Sequence, residues 1–275
     1  MWAHEYARRM HELTAEREPF AQATVTKTEG STLAKTGFKI LIAHDGRVVG
    51  GTLGGGCPEG PIVQVARRAM TDGQPRLVRV HLVDAARAIQ GTVGEPSEDE
   101  IYVETYCGGT LEVFVEPVLP AERLVIVGQG GKDDVEEALI HLGKALGFEV
   151  VVVDPVPQLQ EQPDRLVKAS EIDPLALDLG ERDSVVVLTK GERDGVVLGA
   201  LSRANLRFVG ILASRTRLKR DVDELRAQGV PDSFLARLHA PIGLDIGAQT
   251  PAELALAILA DVVATKYGKD APHRP

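Results

Sequence analysis

Two short runs in the second half of the chain, Val150-Val151-Val152-Val153 and Val185-Val186-Val187-Leu188, contain no polar residue at all. A strand with one face in water alternates apolar and polar side chains. A strand with no polar position must be covered on both faces, as strands of a parallel sheet are. Leu124-Val125-Ile126-Val127 has the same character. Between the first two of these strands in chain order, Asp133 to Leu146 places Val135, Ala138, Leu139, Leu142 and Leu146 at helical spacing, and Gly147 follows as a stop. Phe208 to Leu212 reads as a further strand, with helices expected over 193–204, 216–228, 232–239 and 250–266. Strand–helix alternation of this kind specifies a doubly wound, Rossmann-like parallel sheet with helices on both faces.

The first part of the chain has a different rhythm. A helix is expected over 5–17. Ala21 to Thr28 alternates as a half-buried strand, and Lys39 to Ala43 is a second one. Asp45-Gly46 is a hairpin turn pair that tolerates positive φ, and Val48 to Gly51 begins the return strand. A helix is expected from Pro61 to Met70, a strand over 76–83, a polar loop over 89–100, and an alternating strand from Leu111 to Glu116. Pro117, Pro120 and Glu122-Arg123 mark a linker. The expected organisation is therefore an α/β chain of two domains: a β-rich α+β domain over 1–118 and a Rossmann-like domain over 119–275.

Composition limits what such a chain does. Its 275 residues are enough for two cores of ordinary size. Aromatic residues make up only 4%, so those cores rest on Val, Leu, Ile and Ala. The formal net charge of -9 repels phosphate backbones, which argues against nucleic acid or an anionic membrane as the partner. Arg215, Arg217, Lys219 and Arg220 form a local exception that reads as the solvated face of a helix. No apolar run approaches the ~20 residues that span a bilayer, and Met1 to Glu18 carries charge throughout, so the expected location is the cytoplasm. Two cysteines are too few for a disulfide framework.

Four segments stand out chemically. Gly54-Gly55-Gly56-Cys57-Pro58-Glu59-Gly60 frees its backbone to approach a ligand and puts a cysteine where a helix entrance favours the thiolate; Glu59 is an acceptor nearby. The alternative is a glycine turn with an inert buried cysteine. Cys107-Gly108-Gly109-Thr110 sets the only other cysteine against glycines too. Two thiols suit a soft metal or sulfur-rich cofactor but cannot close a zinc site. Gly128, Gly130 and Gly131 form a turn between strand and helix, and Asp154 ends the next strand where an acid would meet a ribose. The glycine fingerprint for a dinucleotide is incomplete, because Asp133-Asp134 occupy the first helical turn. Finally, the segment from Leu238 to Ala248 holds His239 and Asp245 in a Gly- and Pro-rich loop, before a helix signalled by Thr250, Pro251 and Glu253 as a capping box. That loop is read either as part of a pocket or as an ordered surface loop.

These residues resemble one known family. Thr24 to Thr32, Gly54 to Gly60 and Cys107-Gly108-Gly109 are similar to the N-terminal domain of the XdhC/CoxI family of xanthine dehydrogenase accessory factors. Leu124 to Pro155, Val209 to Arg215 (with Ser214 and Arg215) and Leu235 to Ala248 are similar to its C-terminal Rossmann domain. The resemblance implies a maturation factor, not a catalyst. It would bind the molybdenum cofactor, as molybdopterin or its dinucleotide form, support its sulfuration by a partner sulfurtransferase, and deliver it to a molybdenum hydroxylase of xanthine or CO dehydrogenase type. By position it implies Cys57 and Cys107 as the metal-facing thiols. A homodimer is expected because a carrier gains from a covered interface.

The chain also departs from the family pattern. Gly131 and Lys132 stand where a His is common, Thr189-Lys190-Gly191-Glu192-Arg193-Asp194 lacks the family's histidines, and Ala213 replaces a glycine. Two other readings stay open: an NAD(P)-dependent oxidoreductase built on the Rossmann turn, and a thiol redox protein using Cys57 and Cys107.

Overall fold

The computed structural model describes residues 3–83, 97–105 and 108–269. Most of the expected polar loop, and Cys107 with it, lies outside the described residues. The chain divides into two compact units at Pro120/Ala121.

The first unit runs α1 (Ala3–Ala15), β1 (Phe20–Glu29), β2 (Lys39–Ala43), β3 (Val48–Gly51), α2 (Gly56–Asp72), β4 (Arg76–Val83), β5 (Glu100–Glu104) and β6 (Gly109–Val118). Its six strands form one sheet in the order β3-β2-β1-β6-β4-β5, antiparallel except for the β4–β5 pair. The alternation seen in the sequence becomes one buried face. Ala21, Ala23 and Val25 of β1, Val78 and Val80 of β4, and Leu111, Val113 and Val115 of β6 pack with Ile62, Val65, Ala66 and Ala69 of α2. At the other face, Leu13 of α1 covers Phe20 and Leu41. The second helix starts at Gly56, earlier than the expected Pro61. Pro58 sits in the first turn, where its missing N–H has no intrahelical partner anyway.

The second unit runs β7 (Arg123–Val127), α3 (Asp134–Ala145), β8 (Glu149–Val153), β9 (Arg165–Val167), β10 (Ser184–Val187), α4 (Asp194–Leu201), β11 (Phe208–Ile211), α5 (Arg215–Ala227), α6 (Asp232–Leu235), β12 (Leu238–His239) and α7 (Pro251–Lys266). All six strands are parallel, in the order β9-β8-β7-β10-β11-β12. The chain winds outward from β7 to one edge, then returns to β10 and winds to the other. This is the Rossmann order, with its switch point between β7 and β10. Val125, Val127, Val151, Val185 and Val187 face α4 and α5, while Leu124, Ile126, Val150, Val152 and Val186 face α3 and α7. Both faces are buried, as the uninterrupted apolar runs require. The expected helix over 232–239 ends early, because Leu238 and His239 pair with Val209 and Gly210 as a sixth strand.

At the amino ends of the strands, Arg123 is fixed by a buried acid. Asp183 Oδ1 and Oδ2 accept from its Nε and Nη2 at 2.8 and 2.6 Å, and Leu177 O accepts from Nη1 at 2.8 Å. Removing the acid strands a guanidinium that is 9% exposed. Asp183→Ala should therefore cost about 3 kcal/mol or more in urea unfolding. Thr250→Ala, which removes the observed capping box of α7, should cost only about 1 kcal/mol. Equal small losses would show that the buried pair is dispensable.

Candidate functional site

In the first unit the chain leaves β3 through Thr52 to Gly55 and enters α2. Gly54 has φ +97°, and a Cβ there would meet the backbone of Ala34 at 2.6 Å, so the turn needs glycine twice over. Glu59 pins the turn from within α2: its Oε1 accepts from Leu53 N and Thr52 Oγ1, both at 3.2 Å. The N-cap Gly55 offers no side-chain acceptor, so the first amides of α2 are not consumed by a cap. Cys57 lies in this first turn and is exposed. Pro61, four residues on, lacks the N–H that would bond the Cys57 carbonyl. Thr105 donates its hydroxyl to Cys57 Sγ at 3.6 Å. Thr105 is two residues before Cys107 in sequence; Cys107 itself is outside the described residues, and Gly108 and Gly109 lead into β6. Beyond them, Thr110 Oγ1 lies 3.3 Å from Nδ1 of His81, whose Nε2 contacts Glu100. The sequence reading missed this polar row because its members come from three strands.

In the second unit the glycine turn after β7 is built from carboxyl groups. Asp154, fully buried at the end of β8, accepts from Gly130 N at 2.7 Å and from Val156 N at 2.8 Å. In a dinucleotide fold such an acid reaches a ribose and such an amide faces a pyrophosphate; here they hold each other. Asp133 caps α3, accepting from Val135 N at 2.9 Å and Glu136 N at 3.3 Å, and its other oxygen pairs with Lys190 Nζ at 2.7 Å. Glu136 is 1% exposed, and neither of its carboxylate oxygens has a hydrogen-bond partner. Burial first, then the charges of Asp154, Asp133 and Glu137, push its pKa up to about 8, opposed by Lys190. Gly128 fits because a Cβ there would collide with both Asp154 Oδ2 and Glu136 Oε1. Across the switch point, Arg193 donates to Gly128 O and Ser170 O. The turn thus presents acids and consumed amides, which oppose a pyrophosphate.

The remaining sequence candidates have local roles. Ser214 is the N-cap of α5, accepting from Arg217 N at 3.4 Å, and Arg215 is exposed beside it. His239 Nδ1 lies 3.0 Å from Asp261 Oδ1 of α7, and Asp261 Oδ2 accepts from Gly243 N at 3.1 Å. Asp245 is exposed in the following loop. Asp261 and Glu136 were both missed. Glu136 does fall on the stripe 136, 139, 140, 143 that α3 buries, so an acid in an inward position was visible in the sequence. Among the described residues no group of three or more His, Cys, Asp or Glu is arranged to hold a metal ion, and no helix is long and apolar enough to cross a membrane.

These features define a two-unit protein with a Rossmann unit whose glycine turn is acid-lined. Family models agree with both halves: the XdhC Rossmann domain matches residues 124–262, and the XdhC and CoxI family model matches residues 13–81. The chain belongs to the XdhC/CoxI family. It is 31% identical over 255 residues to the uncharacterized protein YqeB of Escherichia coli (strain K12), covering 90% of this chain and 44% of that one. It is 30% identical over 164 residues to a Bacillus subtilis (strain 168) protein named as a probable xanthine dehydrogenase subunit, covering 57% of this chain and 47% of that one. The chain thus spans less than half the length of either relative. A solved structure described as a xanthine dehydrogenase from Bacillus halodurans is similar at 22% identity and TM-score 0.45, covering 96% of each chain.

The buried acid makes a measurable prediction. A carboxyl whose pKa is raised by folding holds its proton more tightly when folded. Stability therefore falls as pH rises from the ordinary 4.5 towards about 8 and levels off above. Glu136→Gln removes that dependence. Its melting temperature should exceed that of the wild type by a margin that widens from about pH 5 to about pH 8. A margin independent of pH would show that Glu136 does not titrate in this way.

Proposed function

We propose that this chain is a maturation factor for a molybdenum hydroxylase of xanthine dehydrogenase type, and that it holds the molybdenum cofactor at the turn between β3 and α2. The observation that carries this reading is the open sulfur of Cys57 at a helix entrance without a side-chain cap. A soft thiolate suits a sulfur-ligated metal, and uncapped helical amides suit an anionic group such as the pterin phosphate. In this reading Cys57 faces the metal, and Cys107, two residues after the Thr105 that touches Cys57, is its second thiol. Gly55, Gly56 and Gly108 have open space where a side chain would stand, Gly54 and Gly109 let the backbone pack closely against Ala34 and Glu29, and Glu59 holds the turn in shape. The bound group would supply the molybdenum centre; the chain's part is to shelter and position it.

The expected partners are a client hydroxylase and a sulfurtransferase, with a second copy of the chain as homodimer, in the cytoplasm. The family match and the Bacillus subtilis relative, by its name, support the client class. The alternative, an NAD(P)-dependent oxidoreductase, is opposed by the occupied amide of Gly130 and the acids beside it.

The test is to purify the chain from cells that make molybdenum cofactor and to measure bound molybdenum and pterin. Wild type should carry both, while Cys57→Ala and Cys107→Ala should each retain under about a tenth of the metal, and Cys57→Ala should keep the wild-type melting temperature because Cys57 is exposed. Equal metal in all three proteins removes the thiol assignment. Saturable NADPH binding without metal would replace the reading by the alternative.

A further inference from the structure

One helix of the second unit has no polar face. A surface helix ordinarily turns charged or polar side chains outward, and α5 does so with Arg220, Asp223 and Glu224. In α4 the buried side is Asp194, Val197, Leu198 and Leu201, which leaves Gly195, Val196, Gly199 and Ala200 outward, with Val196 60% exposed. A groove of about 820 Å³ is lined by this face, by the 171–175 segment that leads towards β10 and by the 228–231 turn after α5. In that groove Leu175 is 88% exposed, the most of any large apolar side chain among the described residues. Single exposed apolar residues are ordinary, but an apolar helix face and a bare leucine on one groove mark a contact surface.

Two charges on the same groove indicate the partner. Glu171 lies in the segment before β10 and Arg203 in the turn after α4, and both line the groove. Neither side chain has a hydrogen-bond or ion-pair partner among the described residues. Asp173, by contrast, already accepts from the amides of Leu175 and Ala176. A patch that holds one unpaired acid and one unpaired base complements itself, because a two-fold axis sets each against the other in a second copy. The glycines agree. A Cβ at Gly195 would meet nothing within 4 Å, and one at Gly199 only Leu225 Cδ2 at 3.9 Å. The fold of the single chain therefore has room for side chains at both places, whereas two helices that cross closely need them small. Two copies of net charge -9 also repel at long range, so a contact between them must be apolar at its centre.

The geometry points to this groove as the surface through which two copies of the chain pair, with α4 of one copy against α4 of the other and Arg203 of each against the partner's Glu171. The inference rests on the homodimer expected above and adds the surface on which it forms. It does not depend on the thiol site of the first unit.

The experiment is analytical ultracentrifugation of the full chain over a concentration series, which reads the dimer dissociation constant. Wild type is expected to reach twice the monomer mass. Gly199→Arg and Leu175→Glu should each weaken the dimer at least about tenfold. Glycine is a poor helix former, so Gly199→Arg should melt no lower than the wild type at dilutions where both are monomeric; its loss of pairing is then not a loss of fold. Arg203→Glu and Glu171→Arg should each weaken the dimer about tenfold by setting like charges together. The double variant should recover the wild-type constant, which a merely structural role for either residue would not produce. A wild type that stays monomeric at every concentration overturns the inference together with the homodimer, and assigns the face to a different protein; metal retention that depends on Cys57 would still support the maturation reading. A dimer that none of the four single variants weakens keeps the homodimer and overturns this surface. A double variant as weak as its parents overturns the two-fold pairing of Arg203 with Glu171.

Discussion

Each unit has one glycine-rich turn between a strand and a helix, and what becomes of the backbone amides there decides the chemistry. Helix entrances always present amides without intrahelical partners. At α2 the cap is Gly55, which gives them no side-chain acceptor, and the turn faces out with donors and a thiol. At α3, Asp133 takes the amides of Val135 and Glu136, and Asp154 takes that of Gly130. The same local architecture therefore has opposite polarity in the two units. One turn leaves donors and a thiol exposed; the other offers acceptors. Neither polarity follows from the glycines, which the two turns share. At α3 it follows from two carboxylates: Asp133 caps the helix locally, and Asp154 takes the amide of Gly130 from 24 residues further along the chain.

This explains why the fold was more legible than the sites. The central strands could be read because burial on both faces leaves no polar residue in Val150–Val153 or Val185–Val187, a pattern no half-exposed strand can imitate. Edge strands lack that signature. Glu100–Glu104 is bounded by acids and Arg165–Val167 is only three residues long, so neither stands out from a loop until its partner is known. Leu238 and His239 continue the apolar spacing of the helix before them, and only pairing with β11 makes them a strand. The start of α2 was hidden by its own composition. Two glycines and a proline in its first five residues argue against helix locally, yet a first turn tolerates them because its amides are free of intrahelical bonds.

The sites show a sharper limit. Cys57 and Glu59 were legible because a short span of sequence holds the turn, the thiol and the acceptor. Asp154 was legible as an acid at the end of β8, but not as a clamp, because its partner amide lies 24 residues earlier. His239 had two acids to choose from. The near one, Asp245, is solvent-exposed, and the far one, Asp261, comes from the buried face of α7. A strand and a helix that pack face to face pair residues far apart along the chain, so the contact between His239 and Asp261 was not legible in the sequence. An acid inside an apolar helical stripe was the available clue for both Asp261 and Glu136.

The loop after β10 is held by ionic contacts of its own. It carries no histidine. Instead Thr189 Oγ1 and Gly191 N donate to Asp194 Oδ1 at 2.5 and 3.0 Å, and Arg217 Nε pairs with Asp194 Oδ2 at 3.1 Å. Asp194 is 1% exposed, so this is a buried ionic brace that fixes the loop's own path. The brace holds Lys190 at φ +51°, which costs about 1–2 kcal/mol for a residue with a Cβ. In that conformation Lys190 reaches Asp133, and Arg193 reaches the carbonyl of Gly128. Neither contact could form if the loop followed a relaxed path away from the switch point. Both contacts tie the loop after β10 to the turn after β7, across the switch point between the first and fourth strands of the sheet. Arg193 is anchored at two carbonyls, Gly128 and Ser170, whereas Lys190 holds a single carboxylate and has half its side chain in solvent. The lysine, which pairs with Asp133 alone, is therefore the more weakly held of the two cations that reach this turn.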